Sequence, residues 1–346
     1  MQIAGGYWDV SWHNLGLVET FLTLPHTILY TGVAMVLIPA LFGLTMRFTS
    51  FRKSPEKYLL TGFLIALGGG VSQLIAGPFD FWWHQNFGFD PFLFTPSHSL
   101  LIVGIALSGF GMSIGSVRLL QAHRANLGLG SFLVSSRWLQ ALVIMALTAL
   151  WLDLNSIVYL MMDEEGIAYT FQLGSSFVDQ TSSITFATGV ILVAIPGTLI
   201  FFSAKSILGW RGAVTGIALL SATISATANL GFTASVLAGS GTGPAVAQFI
   251  PLYLLFIVPV AIFDFIIKPT QNRPRMIFAA VLVSPFASFL DGWYSVALWA
   301  FEIQLVPLLI APILAVGLAA GLYWTKFTNV LLAREILRPH LPTTTV

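Results

Sequence analysis

Long apolar windows separated by short polar segments dominate the pattern along this chain. A hydrocarbon core about 30 Å thick requires about 20 apolar residues in a helix, at a rise of 1.5 Å each. Charge-free windows cover residues 20–46, 58–79, 91–117, 180–204 and 212–263, and the last of these is long enough for two spans. Two further windows of suitable length, 138–162 and 276–301, each contain one acid, and a final window, 303–325, contains no charge. The pattern therefore predicts an all-α protein with about nine transmembrane helices.

Composition agrees with a membrane protein surrounded by lipid. Of 346 residues, 56% are hydrophobic and only 8% are charged, which disfavours a soluble domain. The formal net charge of +1 is too balanced for a nucleic-acid-binding protein, which needs clustered basic side chains. The chain contains no cysteine, which excludes disulfides, thiolate metal sites and cysteine nucleophiles.

The distribution of charge predicts the orientation in the membrane. Basic residues collect in cytoplasmic loops, and the alternate loops of a nine-span arrangement contain all fifteen Lys and Arg residues of this chain. We therefore expect a polytopic bundle in the cell membrane, with its N-terminus outside and its C-terminus cytoplasmic. The first residues contain no basic stretch before an apolar run, so we expect no cleavable signal peptide.

Four of the six histidines lie in a duplicated pattern. Each copy contains an acid, a histidine four positions later and a second histidine further along the chain. Flanking residues also match, including Trp12 with Trp83 and Gly32 with Gly104, so an internal repeat of about 71 residues is predicted. We therefore divide the membrane domain into two regions. Region 1–125 contains the two-helix repeat and predicted helices one to three, and region 126–346 contains predicted helices four to nine. The repeated set is Asp9, His13 and His26, then Asp80, His84 and His98.

Spacing within each copy brings the acid and the first imidazole together, because residues i and i+4 share one face of a helix. Gly16 or Gly88 then ends that turn, and Pro25 or Pro96 suits the first turn of the next span. We therefore predict that an interfacial helix folds back over the outer end of the next span. This arrangement would bring two imidazoles and one carboxylate together on the extracytoplasmic side.

Such a donor set is typical of a metal site with open coordination positions. Two imidazoles and one carboxylate suit copper, zinc or non-haem iron, and suit calcium and magnesium poorly. The alternative is that the histidines are polar anchors within an interfacial belt of tryptophans. His123 and His340, which lie beside basic residues on the cytoplasmic side, are not predicted to be ligands.

The Asp9, His13, His26 frame resembles the copper-ligand motif in the membrane C subunit of the copper membrane monooxygenases, which oxidise methane or ammonia. The second copy departs from this frame by one residue. The resemblance covers the ligand positions only, and it implies an extracytoplasmic copper site, oxygen chemistry and partner subunits. The YWDVSWH and DFWWH segments are also similar to those of a set of polytopic membrane proteins without an assigned activity.

Several acids lie outside this repeat. Asp153 and Asp291 fall within predicted spans, where charge is costly, and counting residues from the nearest inner arginine predicts that they lie level with the histidines. They are expected either to add ligands or a proton path, or to end their helices at the outer surface. Asp163, Glu164 and Glu165 are predicted to form a solvated outer loop that helps to gather cations.

These observations predict a membrane protein that binds metal, with copper favoured by the resemblance. The bound metal would take part in oxidation, and the protein would be a copper-dependent oxidoreductase or a subunit of a copper monooxygenase-like or respiratory complex. Three other classes stay open: an accessory subunit that only holds the metal, a haem-bearing redox subunit and a transporter.

Overall fold

The computed structural model describes residues 1–14, 20–49, 60–88, 92–125, 135–224, 250–266, 274, 277–280, 283 and 306–332. All regular elements in these ranges are helices, which confirms the predicted all-α class for the described part of the chain. In chain order the principal helices are α1 Gln2–Asn14, α2 Leu24–Thr49, α3 Leu60–Phe87, α4 Pro96–Arg124, α5 Ser136–Met161, α6 Glu164–Thr170, α7 Ser175–Leu208, α8 Ala213–Ile224, α9 Ile250–Ile266 and α10 Val306–Leu332.

Six of these helices are long and apolar enough to cross a membrane, which indicates a multi-pass membrane protein. They are α2, α3, α4, α5, α7 and α10. The predicted double window 212–263 contains α8 and α9, which are shorter, while most of the predicted eighth span lies outside the described residues. The count of nine helices thus stays a prediction.

Long helices pack side by side to form the core. α3 packs against α2 and α4, α5 lies between α4 and α7, and α7 also packs against α10. The largest buried apolar cluster includes residues from the helices α4, α5, α7, α8, α9 and α10. Within this cluster the rings of Trp151 and Phe201, both fully buried, lie 5.1 Å apart in an edge-to-face arrangement.

Small residues allow α3 and α4 to approach closely, which fixes the two helices that carry the candidate site. A Cβ atom at Gly69 would lie 2.5 Å from the carbonyl oxygen of Gly104, and one at Gly111 would lie 2.4 Å from the backbone nitrogen of Ala66. Such contacts leave no room for a side chain and are typical of helix pairs in membranes. Gly69 thus allows the close approach, whereas a Cβ atom at the neighbouring Gly68 would meet nothing.

α1 packs against the first half of α2 in the antiparallel direction. A Cβ atom at Gly5 would lie 2.8 Å from the backbone nitrogen of Leu29, and one at Gly32 would lie 2.7 Å from Cγ of Gln2. The end of α1 that contains Asp9 is therefore level with the start of α2, where His26 lies.

Candidate metal centre

The second copy of the predicted motif lies where α3 ends and α4 begins. α3 continues without a break through Asp80 and His84 to Phe87, despite Pro78 within it. The prediction of a separate interfacial helix is therefore wrong for this copy, because the acid and the first histidine extend the membrane helix itself. Gly88 then ends the helix with a φ of +86°, which confirms the predicted role of this glycine.

The start of α4 presents the second histidine. Thr95 caps the helix by accepting a hydrogen bond from the backbone N–H of His98, and Pro96 occupies the first turn as predicted. Ser97, which is fully buried, places its hydroxyl 3.2 Å from that of Thr95, one position before His98. The polar cap thus leads directly into the site.

The three predicted donors of this copy meet between the two helices. Oδ2 of Asp80 lies 3.3 Å from Nε2 of His84, and Oδ1 of the same carboxylate lies 3.3 Å from Nε2 of His98. One donor atom from each residue lies within 4.8 Å of the other two. The side chains are largely buried, with exposures of 13% for Asp80, 6% for His84 and 10% for His98.

A backbone contact fixes the orientation of one imidazole. Nδ1 of His84 lies 3.0 Å from the carbonyl oxygen of Gly88. Because a carbonyl only accepts hydrogen bonds, Nδ1 is the donor, and in the neutral form of the ring the lone pair that could bind a metal is on Nε2, which faces Asp80. This is how proteins usually orient a histidine that binds a metal.

These donors fit a transition-metal ion by their chemistry and spacing. Ligand bonds of about 2.0–2.1 Å in a tetrahedral arrangement place neighbouring donor atoms about 3.3 Å apart. Each imidazole lies 3.3 Å from a different oxygen of the Asp80 carboxylate, and one donor atom of each residue lies within 4.8 Å of the other two, so a small shift of the side chains would bring all three donors to one ion. Asp80, His84 and His98 therefore form an Asp/His/His cluster that could hold a metal ion.

The first copy has a similar contact between its acid and its second histidine. Nε2 of His26 lies 3.0 Å from Oδ1 of Asp9, and Nδ1 of His26 lies 3.1 Å from the carbonyl oxygen of Thr20. Both side chains are largely buried. His13 belongs to α1, but its side chain lies outside the part of the structure that is described, as does Gly16.

Aromatic rings surround the end of α3. Phe79 stacks on Trp82 at 5.9 Å, and Trp83 contacts Phe87 at 4.5 Å between ring centroids. Trp82 and Phe87 are about half exposed. Such rings are typical of the membrane interface.

Asp153 does not lie level with the histidines, so that prediction is wrong. Its buried carboxylate lies against Gly109, about 16 Å along α4 from His98 at 1.5 Å per residue. The position predicted by counting residues from Arg137 was wrong because the count assumed helices no longer than a 30 Å core. α4 has 29 residues and is about 43 Å long, so it extends well beyond such a core. Asp291 lies outside the described residues.

Asp163 is a residue near the site that sequence reasoning misinterpreted. Its carboxylate is partly buried and accepts hydrogen bonds from Leu93, Phe94 and Gly166. An acid directly before a helix is a local sign of an N-cap, which could have been recognised. Its contacts with residues about 70 positions away could not.

Comparison with known protein families, with characterised proteins and with solved structures finds no match. The resemblance to the C subunit of the copper membrane monooxygenases therefore depends on the Asp/His/His ligand positions alone. The function has to be argued from the site itself.

Proposed function

We propose that this protein is a multi-pass membrane protein that binds a copper ion through Asp80, His84 and His98. One observation carries the proposal: a carboxylate and two imidazoles from different helices place their donor atoms within 4.8 Å of one another. These residues would supply one oxygen and two nitrogens, and open positions would remain for oxygen, water or a substrate. A bound copper ion would supply one-electron redox chemistry, while the protein fixes its geometry.

Asp9, His13 and His26 would hold a second ion in an equivalent site. Matching contacts support the repeat on which this depends. A Cβ atom at Gly32 would lie 2.7 Å from Cγ of Gln2, and one at the repeat-related Gly104 would lie 2.8 Å from Cγ of Gln73. α1 would then be the counterpart of the outer half of α3, with His13 in the place of His84.

The donor set also suits zinc and non-haem iron, and the resemblance favours copper over both. We propose an oxidative use, either in this chain alone or with other membrane subunits in a monooxygenase-like or respiratory complex. The alternative is an accessory subunit that holds the ion without chemistry. A haem-bearing subunit is less well supported, because Nε2 of His26, of His84 and of His98 each faces a carboxylate.

The site would face the extracytoplasmic side of the cell membrane. Arg118 and Arg124 lie at the opposite end of α4 from His98, about 30 Å or more away at 1.5 Å per residue. Arg124 donates to the carbonyl oxygen of Ile207, and Arg118 donates to that of Val330. The C-terminal ends of α7 and α10 therefore lie beside the C-terminal end of α4. Because basic residues collect in the cytoplasm, this end would be the inner one.

Metal analysis tests the proposal. Purified protein would be loaded with copper, washed and analysed by mass spectrometry of the released metal, beside a His84→Ala, His98→Ala variant and a His13→Ala, His26→Ala variant. His123→Ala is the matched control, because this histidine lies at the opposite end of α4.

We expect about two ions in the wild type and in the control, and about one ion in each double variant. An equal metal content in all four proteins would overturn the assignment of the ligands. Absorption spectra of the same samples test the haem alternative through a Soret band, and metal-independent uptake into vesicles tests the transporter alternative.

A further inference from the structure

Asp163 connects two segments that are far apart in the sequence. Its Oδ2 accepts hydrogen bonds from the backbone N–H of Leu93 at 2.5 Å and of Phe94 at 2.6 Å. Its Oδ1 accepts from the N–H of Gly166 at 3.2 Å, which caps α6. One carboxylate therefore satisfies three backbone donors from two different segments.

The segment held in this way leads directly to a ligand of the candidate metal centre. Thr95 follows Phe94, and its hydroxyl caps α4 through the backbone N–H of His98. The backbone N–H of Thr95 also donates to the carbonyl oxygen of Leu93 at 2.8 Å. Asp163 is therefore connected to His98 by two hydrogen bonds and one peptide link: Asp163 holds Phe94, and the next residue, Thr95, holds the backbone of His98.

Packing around these hydrogen bonds restricts the segment further. Phe92 contacts Tyr169 at 5.0 Å, and Phe94 contacts Phe171 at 6.1 Å between ring centroids. A Cβ atom at Gly166 would lie 2.7 Å from Cβ of Phe94, so only glycine fits at this point. α6 and the residues after it therefore form a rigid support for residues 92–95.

We propose that Asp163 is a positioning residue for the metal centre: by fixing residues 93–95 it sets the direction from which His98 approaches Asp80. The inference depends on the proposed metal site. It replaces the interpretation of Asp163 as a solvated acid that gathers cations, because all three hydrogen bonds of this carboxylate are made to backbone N–H groups.

Copper titration of full-length protein tests the role of Asp163. Asp163→Ala removes both acceptor oxygens and with them all three hydrogen bonds, whereas Asp163→Asn retains one carbonyl oxygen, so an intermediate effect is expected for Asp163→Asn. Glu165→Gln is the matched control, because Glu165 lies two positions away and is exposed. Ser203→Ala controls for stability alone, since it removes a buried hydrogen bond to Thr328 in the core.

We expect the Kd for copper at the second-copy site to rise about 10- to 100-fold in Asp163→Ala, as is usual when a group that orients a ligand is lost. The electron paramagnetic resonance spectrum of bound copper(II) should change as well. Glu165→Gln and Ser203→Ala should leave both unchanged. An unchanged Kd and spectrum in Asp163→Ala, with copper bound to the wild type, would overturn the inference and leave the proposed function intact.

A measurement without metal distinguishes failure of the positioning role of Asp163 from failure of the proposed metal function. Modification of His98 by diethyl pyrocarbonate, followed by mass spectrometry, should be faster in Asp163→Ala than in the wild type, because the segment before α4 is no longer held. Faster modification in a protein that binds no copper would support the positioning of His98 and overturn only the metal function. Equal modification rates would count against the positioning itself.

Discussion

Nδ1 of His84 donates a hydrogen bond to the carbonyl oxygen of Gly88, the residue that ends α3. The φ of +86° at Gly88 is unfavourable for any residue with a side chain. The same glycine therefore ends the helix and turns its carbonyl group toward the imidazole. Helix termination and orientation of a candidate ligand thus depend on one residue.

Gly88→Ala should weaken both functions of this residue. Forcing alanine into a left-handed conformation costs about 1–2 kcal/mol, and relaxation would move the carbonyl away from His84. We expect weaker metal binding, measured by copper titration, together with a lower melting temperature. Gly68→Ala is the control, because a Cβ at this position in α3 meets nothing. Equal metal affinity in both variants would show that the Gly88 contact does not orient the ligand.

Asp80→Asn should abolish metal binding at one site without removing volume. The amide is similar in size but carries no charge and is a poor ligand, so the Kd for copper should rise by about 100-fold or more. Asp9→Asn should do the same at the first-copy site. Each single variant should therefore bind about one ion and the double variant none, as measured by mass spectrometry of the metal. Two ions in either single variant would contradict the assignment.

Close packing of α3 and α4 should make Gly69 intolerant of a side chain. A Cβ at Gly69 would lie 2.5 Å from the carbonyl oxygen of Gly104 and would force the helices apart. Overpacking of this kind costs about 1–3 kcal/mol, so Gly69→Ala should unfold at a lower denaturant concentration in micelles. Gly115→Ala, which meets nothing, should keep the stability of the wild type or exceed it.

Local sequence features predicted the parts of the structure that depend on local physics. Apolar windows located six helices that are long and apolar enough to cross a membrane, and the glycine and proline signals located the end of α3 at Gly88 and the start of α4 at Pro96. The meeting of Asp80, His84 and His98 was also predicted, since the i, i+4 rule pairs the first two and a short connection returns the third.

Contacts between distant segments were not predictable in this way. The three hydrogen bonds of Asp163 depend on how two segments distant in sequence pack together, and the position of Asp153 relative to the histidines depends on the length of α4 rather than on α5 alone. A single sequence contains periodicity and capping signals but no direct record of which loops meet. The prediction of a separate interfacial helix before α4 failed for a related reason: nothing local distinguishes a helix that continues past the membrane core, as α3 does, from a separate interfacial helix.

The buried pair of Lys205 and Asp264 gives a prediction about stability that is independent of metal. Nζ of Lys205 lies 2.5 Å from Oδ1 of Asp264, and Oδ2 accepts hydrogen bonds from the backbone N–H groups of Val214 and Thr215 at 2.9 Å. This carboxylate therefore joins α7, α8 and α9. Lys268 is nearer to Asp264 in the sequence, but it lies outside the described residues.

Lys205→Met should be strongly destabilising, because it leaves the Asp264 carboxylate buried without its charge partner. Removing one member of a buried pair typically costs about 3–5 kcal/mol. Lys326→Met is the control: Lys326 is exposed and its Nζ lies over the ring of Tyr323, so its loss should change the free energy of unfolding by less than about 1 kcal/mol. Adding Asp264→Asn to Lys205→Met should recover part of the loss, since the amide carries no charge and its oxygen still accepts from the start of α8. A double variant less stable than Lys205→Met would mean that the hydrogen bonds to α8, rather than the ion pair, dominate the contribution of Asp264.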